Sequence, residues 1–286
     1  MRETPASRRG LSIRISAFGK TDVGRRRERN EDDLALVDLT SGRAFEDHCV
    51  KDLPVGACGV LLAVCDGVGG RRAGEVASTL ALETLSKELE DMTAGCPRGE
   101  LFRTAIESVN RQVWQEAELD PALEGMATTL TGTVVCSGRA IVAHVGDSRA
   151  YVLRGGKIRQ ITRDQSFVGQ LLAEGVVTEE EAAKHPYRNV ILQAIGRARK
   201  VEVALDAVEL AAGDCLLLCT DGLSEKVPSD EMARLLQAKG LEEAVTSLVA
   251  IANERGGDDN ITVLVARIET EGGAPGSEPG GRGMNP

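Results

Sequence analysis

From Thr128 to Thr162 the chain reads TTLTGTVVCSGRAIVAHVGDSRAYVLRGGKIRQIT. Four stretches rich in Val, Ile, Leu and Thr are separated by Ser-Gly, Gly-Asp and Gly-Gly, residues that favour reversals. This pattern predicts a meander of hairpins and therefore antiparallel sheet. Further strand signals surround it. Leu11, Ile13, Ile15 and Ala17 alternate with polar residues, which puts one face inside. The runs GVLLAVCDG, DCLLLCTDG and NITVLVARI are short, apolar and bounded by turn residues, so they read as buried strands.

Helical periodicity is present in fewer places. Val76, Leu80, Leu85 and Leu89 share one side of a helix after Gly74, and Leu101, Ala105, Val109 and Val113 share one side of a second. Thr178 followed by Glu181 has the form of a capping box. Met232–Ala238 and Leu241–Arg255 read as a helix pair. Runs of strands with paired helices, rather than strict alternation, predict an α+β fold: a central two-sheet antiparallel β-sandwich with helices on both outer faces. Residues 1–10 read as a loose polar arm, 11–268 as one domain, and 269–286 as a disordered Gly/Pro-rich tail.

Composition narrows the function. Hydrophobic residues make up 42% of the chain but aromatics only 2%, so the core must be built from Val, Leu, Ile and Ala. A net charge of −10 opposes a nucleic-acid partner, because the phosphate backbone would be repelled. Local basic clusters at Arg25–Arg27 and Arg71–Arg72 are either solvated surface runs or grips for a small anionic group. The seven cysteines show no C-x-x-C spacing and are expected as free thiols in a reducing cytoplasm. No secretory h-region and no apolar stretch of membrane-spanning length is evident, so no membrane partner is expected.

Five acids stand at the edges of apolar runs: Asp32, Asp66, Asp147, Asp221 and Asp259. Each alone has a plain reading as a turn residue, and three of them have an adjacent glycine. Together they suggest strand ends that gather carboxylates at one edge of the sandwich. Two carboxylates ~4 Å apart at an effective dielectric of ~20 repel by about 4 kcal/mol, and a cation removes that repulsion. Oxygen-only ligands favour Mg²⁺ or Mn²⁺ over zinc. Two such ions, about 4 Å apart, can acidify a shared water for in-line attack on phosphorus.

TDVGRRRERNED, DGVGG, ATTL, VGDSRAY, TRDQS, TDGL and GGDDNITV occur in the order seen in the metal-dependent serine/threonine protein phosphatases of type 2C. Between Thr21 and Val265 the chain resembles the compact bacterial branch of that family. The resemblance implies a four-layer α-β-β-α fold and hydrolysis of phosphoserine and phosphothreonine by a metal-bridging hydroxide, without a phosphoenzyme. It implies that Asp66 bridges two core ions, Mn²⁺ or Mg²⁺, that the Gly67 carbonyl binds one of them, and that Asp221 and Asp259 complete the other. By the same resemblance Glu31 and Asp32 hold metal-bound waters, Asp147 with Asp221 binds a third ion, and Arg27 grips the substrate phosphate. Phosphorylated proteins, serine/threonine kinases among them, are the implied partners of a monomeric enzyme. A mobile flap is implied at about 167–195. Three positions depart from the family pattern: Val68 replaces a histidine proposed as general acid, Gln165 replaces His before Ser166, and Ala127 replaces Gly. Leaving-group protonation is then left to a metal-bound water.

Two other readings use the same residues. Cys65 and Arg71 have the C-x5-R spacing of thiol-dependent phosphatases, but Asp66 beside the thiol would raise its pKa and repel phosphate. A catalytically weak phosphatase-fold binding module is the second, and it would be expected to lack one or more of the acids. Glycines 67, 69, 70 and 74 do not match a nucleotide-binding loop. His144, inside an apolar strand, reads as a core residue, and His48 and His185 carry no assigned role.

Overall fold

The computed structural model describes residues 13–69, 73–92, 95–97 and 99–270. In chain order the strands are β1 (Ile13–Asp22), β2 (Asp32–Asp38), β3 (Arg43–Ala44), β4 (Cys49–Pro54), β5 (Val60–Val68), β6 (Ala127–Thr128), β7 (Leu130–Cys136), β8 (Arg139–Val145), β9 (Arg149–Arg154), β10 (Lys157–Gln160), β11 (Ala204–Glu209), β12 (Cys215–Cys219) and β13 (Ile261–Thr270). The helices are α1 (Ala73–Met92), α2 (Gly99–Leu119), α3 (Phe167–Ala173), α4 (Glu179–Ala183), α5 (Asp221–Ser224), α6 (Ser229–Ala238) and α7 (Leu241–Glu254).

One sheet runs β10-β9-β12-β13-β1-β4 and the other β11-β8-β7-β5-β2-β3, with β6 paired to β5. All pairings are antiparallel. The period-2 alternation of each strand decides the layering. In β5, Val60, Leu62 and Val64 face the inter-sheet core, where Ile15, Leu36, Leu216 and Leu264 meet them. Leu61, Ala63 and Cys65 face α1 and α2. In β12, Leu216 and Leu218 point between the sheets while Cys215, Leu217 and Cys219 point toward α6 and α7. Three apolar cores thus separate four layers, α-β-β-α, as the sequence predicts.

Several details differ from the sequence reading. The meander does not stay in one sheet: β7 and β8 pair in one, β9 and β10 in the other, and Gly146–Ser148 is the corner between them. The predicted face of α1 is rotated. Ala73, Ala77, Ala81, Leu85 and Leu89 pack inward, while Val76 is 37% exposed. Successive helical residues point ~100° apart, and the small alanines let the helix lie close on β5. In α2 the predicted face holds at Ala105, Val109 and Val113, which are buried together with Phe102 and Ile106, while Leu101 is exposed.

The expectation that every cysteine is a free thiol is also corrected. Cys96, between α1 and α2, is bonded to Cys136 at the end of β7, with Cα atoms 5.8 Å apart and the two positions 40 apart in sequence. That separation leaves no motif; the packing of the helical layer on the sheet brings the pair together. β13 continues through Thr270, two residues beyond the expected end of the domain at 268. The expected N-terminal arm, Leu11, Arg71 and Arg72, and the rest of the tail lie outside the described residues.

Candidate metal centre

The acids meet at one rim of the sandwich because of strand register. β2 and β5 are antiparallel neighbours, and Asp32 stands directly opposite Asp66. In the other sheet β12 and β13 are neighbours. Asp221 begins α5 just after β12 and Asp259 lies two residues before β13, so both emerge at the same end. Asp147 occupies the corner where the chain crosses between sheets.

That proximity shifts their titration. Burial first, then the charges of Asp32, Asp221, Asp147 and Asp259, push the Asp66 carboxyl well above the ordinary range. Asp221 is raised to about 6 by burial and by Asp259. Asp147 is raised to about 8 by burial and then by Asp221 and Asp164. Asp32, 6% exposed, is raised to about 8 by burial despite hydroxyl donors at Thr220 and Thr262. Glu31 is raised by burial, with Asp259 and Glu75 adding to it.

A hydroxyl scaffold holds this rim, and sequence reasoning did not single it out. Thr220 donates to Asp32 Oδ2 at 2.8 Å and accepts the Thr262 amide at 3.0 Å. Thr129 Oγ1 accepts the Asp66 amide at 2.9 Å and hydrogen-bonds Ser148 at 2.8 Å. Thr128 donates to the Asp66 carbonyl at 2.9 Å. The Asn260 side chain accepts the Glu31 amide at 2.8 Å and donates to the Val23 and Arg29 carbonyls. The available signal was hydroxyl residues at otherwise apolar strand positions, where a buried hydroxyl needs a partner.

Gly67 is fixed by space: its amide donates to the Glu31 carbonyl at 3.1 Å, and a Cβ there would overlap the Gly74 and Glu31 carbonyl oxygens. Arg27, on the loop before β2, donates to Asp259 Oδ2 at 2.7 Å. Its guanidinium therefore lies at the acid rim, whereas Arg25 and Arg26 turn to the Gly257 carbonyl through their amides. Val68 is 43% exposed and offers no proton. His144 is buried as expected, with Nδ1 paired to Thr131 at 2.9 Å and the ring held down to about 4 by burial.

Among the described residues no three His, Cys, Asp or Glu side chains close on one point; the acids face a shared space instead. Their chemistry nonetheless fits divalent cations. Among the described residues, the buried polar side-chain atoms without a partner include one oxygen each of Asp32, Asp147 and Asp221. Buried carboxylate oxygens that repel one another and accept no hydrogen bond are suited to hard cations. The thiol alternative fits poorly. Cys65 is buried against the helices, and burial together with Asp33 pushes it well above the usual thiol range, so the thiolate is disfavoured.

An α-β-β-α sandwich with carboxylates gathered at one rim suits a hydrolase that works with divalent cations. The family model "Protein phosphatase 2C" matches residues 39–264, and the chain belongs to that family. Serine/threonine phosphatase stp of Listeria welshimeri is 39% identical over 250 residues, spanning 86% of this chain and 93% of that protein. The crystal structure of Stp1 from Staphylococcus aureus aligns with a TM-score of 0.79 at 33% identity, covering 94% of this chain and 99% of that one. The catalytic domain of PstP, solved in complex with two manganese ions, aligns with a TM-score of 0.75 at 34% identity over 90% and 100% of the two chains. The chain is accordingly a serine/threonine protein phosphatase, a metal-dependent hydrolase.

Proposed function

We propose that this chain hydrolyses phosphoserine and phosphothreonine in proteins by direct attack of water on phosphorus. The observation that carries the reading is the set of mutually repelling, partly unpartnered carboxylates at one sandwich rim. Asp66, the Gly67 carbonyl, Asp221 and Asp259 would hold two ions, Mn²⁺ or Mg²⁺, with Glu31 and Asp32 behind them; Asp147 with Asp221 would hold a third. When bound, such ions neutralise the carboxylates and acidify water so that a nucleophile is available at neutral pH.

The chain's own residues supply the rest. Arg27 offers a forked guanidinium to the phosphate oxygens. The Thr220–Asp32 and Thr129–Asp66 hydrogen bonds hold the acids in place before substrate arrives. Val68 donates nothing, so no side chain at that position protonates the leaving alkoxide. Phosphorylated kinases are natural substrates in this reading, as proteins that carry the required phosphoresidues. The test is release of phosphate from a phosphothreonine peptide with Mn²⁺, repeated with chelator and with a thiol alkylator. Chelator should abolish turnover and alkylation should spare it. Turnover that survives chelation would defeat the proposal.

A further inference from the structure

A groove of ≈ 720 Å³ lies outside the acid rim, lined by Arg29, Glu75, Val76, Thr79, Leu80, Glu83, Glu116 and Leu123. It exists because of the helical offset described above. With the alanine stripe of α1 turned to the sheet, Val76, Thr79, Leu80 and Glu83 form an i, i+3, i+4, i+7 ridge facing the groove. The floor is therefore apolar, from Val76, Leu80 and Leu123. The walls carry three carboxylates, Glu75, Glu83 and Glu116, against the single guanidinium of Arg29. The side chains of those three glutamates make no hydrogen bond or ion pair among the described residues.

The groove abuts the candidate metal centre. Thr79, on its wall, donates to Asp33 Oδ2 at 3.0 Å, and Asp33 is the chain neighbour of Asp32. Arg29 stands two residues from Arg27, and Glu31 feels the charges of both Arg29 and Glu75. Along α1, Glu75 to Glu83 spans about 12 Å at ~1.5 Å per residue. An extended peptide rises ~3.3 Å per residue, so the groove accommodates roughly four residues.

We propose that this groove binds the segment of a phosphoprotein substrate that flanks the phosphorylated residue, and that it selects segments with a Lys or Arg and an apolar side chain within about four positions of the phosphate. This rests on the phosphatase reading and names its substrate class. The apolar residue covers Val76 and Leu80, and the basic one meets Glu83 and Glu116. An acidic flank is repelled by the same walls. Exposed charges act mainly on encounter and on KM, and salt weakens them.

The test compares the Mn²⁺-loaded full chain with a Glu83→Lys/Glu116→Lys double variant. Both positions lie on exposed helix surface away from the acid rim. Substrates are three phosphothreonine peptides with basic, uncharged or acidic flanks, plus p-nitrophenyl phosphate as a flankless control. The native chain should favour the basic over the acidic flank by about tenfold in kcat/KM, through KM. The double variant should lose or invert that preference while kcat and p-nitrophenyl phosphate turnover stay unchanged. Equal use of all flanks by the native chain, or a preference that survives charge reversal, would overturn the groove proposal. An unphosphorylated fluorescent basic peptide, followed by anisotropy, reads the groove without chemistry. Binding that the double variant weakens supports the groove even if no phosphopeptide is hydrolysed, in which case the phosphatase reading alone fails; no such binding, or binding unchanged in the variant, overturns the groove.

Discussion

Replacing Asp32 by Asn should stabilise the metal-free protein, and by an amount that depends on pH. In the fold the Asp32 carboxyl is raised from the ordinary 3.8 to about 8 by burial, with Asp221 and Asp259 adding repulsion. Below pH ~4 the group is protonated folded or unfolded and contributes nothing. As pH rises, the unfolded chain ionises while the folded one keeps its proton, so stability falls by about 1.4 kcal/mol per pH unit until the folded pKa is passed. Over that interval the full effect is on the order of 5 kcal/mol, reduced by water penetration and relaxation at the rim. Asn keeps the shape and still accepts the Thr220 hydroxyl but carries no charge. If only ~1–2 kcal/mol survives relaxation, melting should rise by roughly 2–3 °C at pH 8 in chelator, and the gain should vanish near pH 4. Thermal denaturation of both proteins at the two pH values, with and without Mn²⁺, measures this. Manganese should reverse the order, because the native carboxylate supports the ions and the amide does not. A variant less stable than the native chain in chelator at pH 8, or a pH-independent difference, would refute the electrostatic account of the rim.

Other outcomes follow from the same geometry. Asp66→Asn and Asp221→Asn should each lose a core ion, read by metal analysis after gel filtration, with kcat falling by roughly two to four orders of magnitude. Near-normal turnover in Asp66→Asn would count against the assignment. Arg27→Ala should act mainly on KM for phosphopeptide, since the guanidinium offers the phosphate a charged fork; a drop confined to kcat would move Arg27 to another role. Asp147→Ala should keep two ions bound while activity drops, and an unchanged rate would remove a third ion from the mechanism.

Much of this molecule was legible as pattern. Period-2 alternation marks β1, continuous apolar runs mark β5, β12 and β13, and the Thr178–Glu181 capping box forms as written, with both reciprocal hydrogen bonds. The five acids stood out because each stands at the edge of an apolar run. What pattern could not provide was the rotation of a helix about its own axis. Val76 and Leu80 are as apolar as Leu85, and only the fit of small alanines against β5 decides which side is buried. β4 and β11, short edge strands with little apolar signal, were missed for a related reason: their pairing partners, not their own side chains, define them.

The sequence by itself determined the alternation of layers, the antiparallel connections and the chemical identity of the rim. These depend on neighbouring residues and on short-range periodicity. Tertiary structure alone decided that Asp32 faces Asp66, that the meander breaks between two sheets at Asp147, that Cys96 reaches Cys136, and that an acidic groove opens beside α1. Each of these depends on register or close packing between segments far apart in the chain, where a shift of one residue reverses which side chains meet.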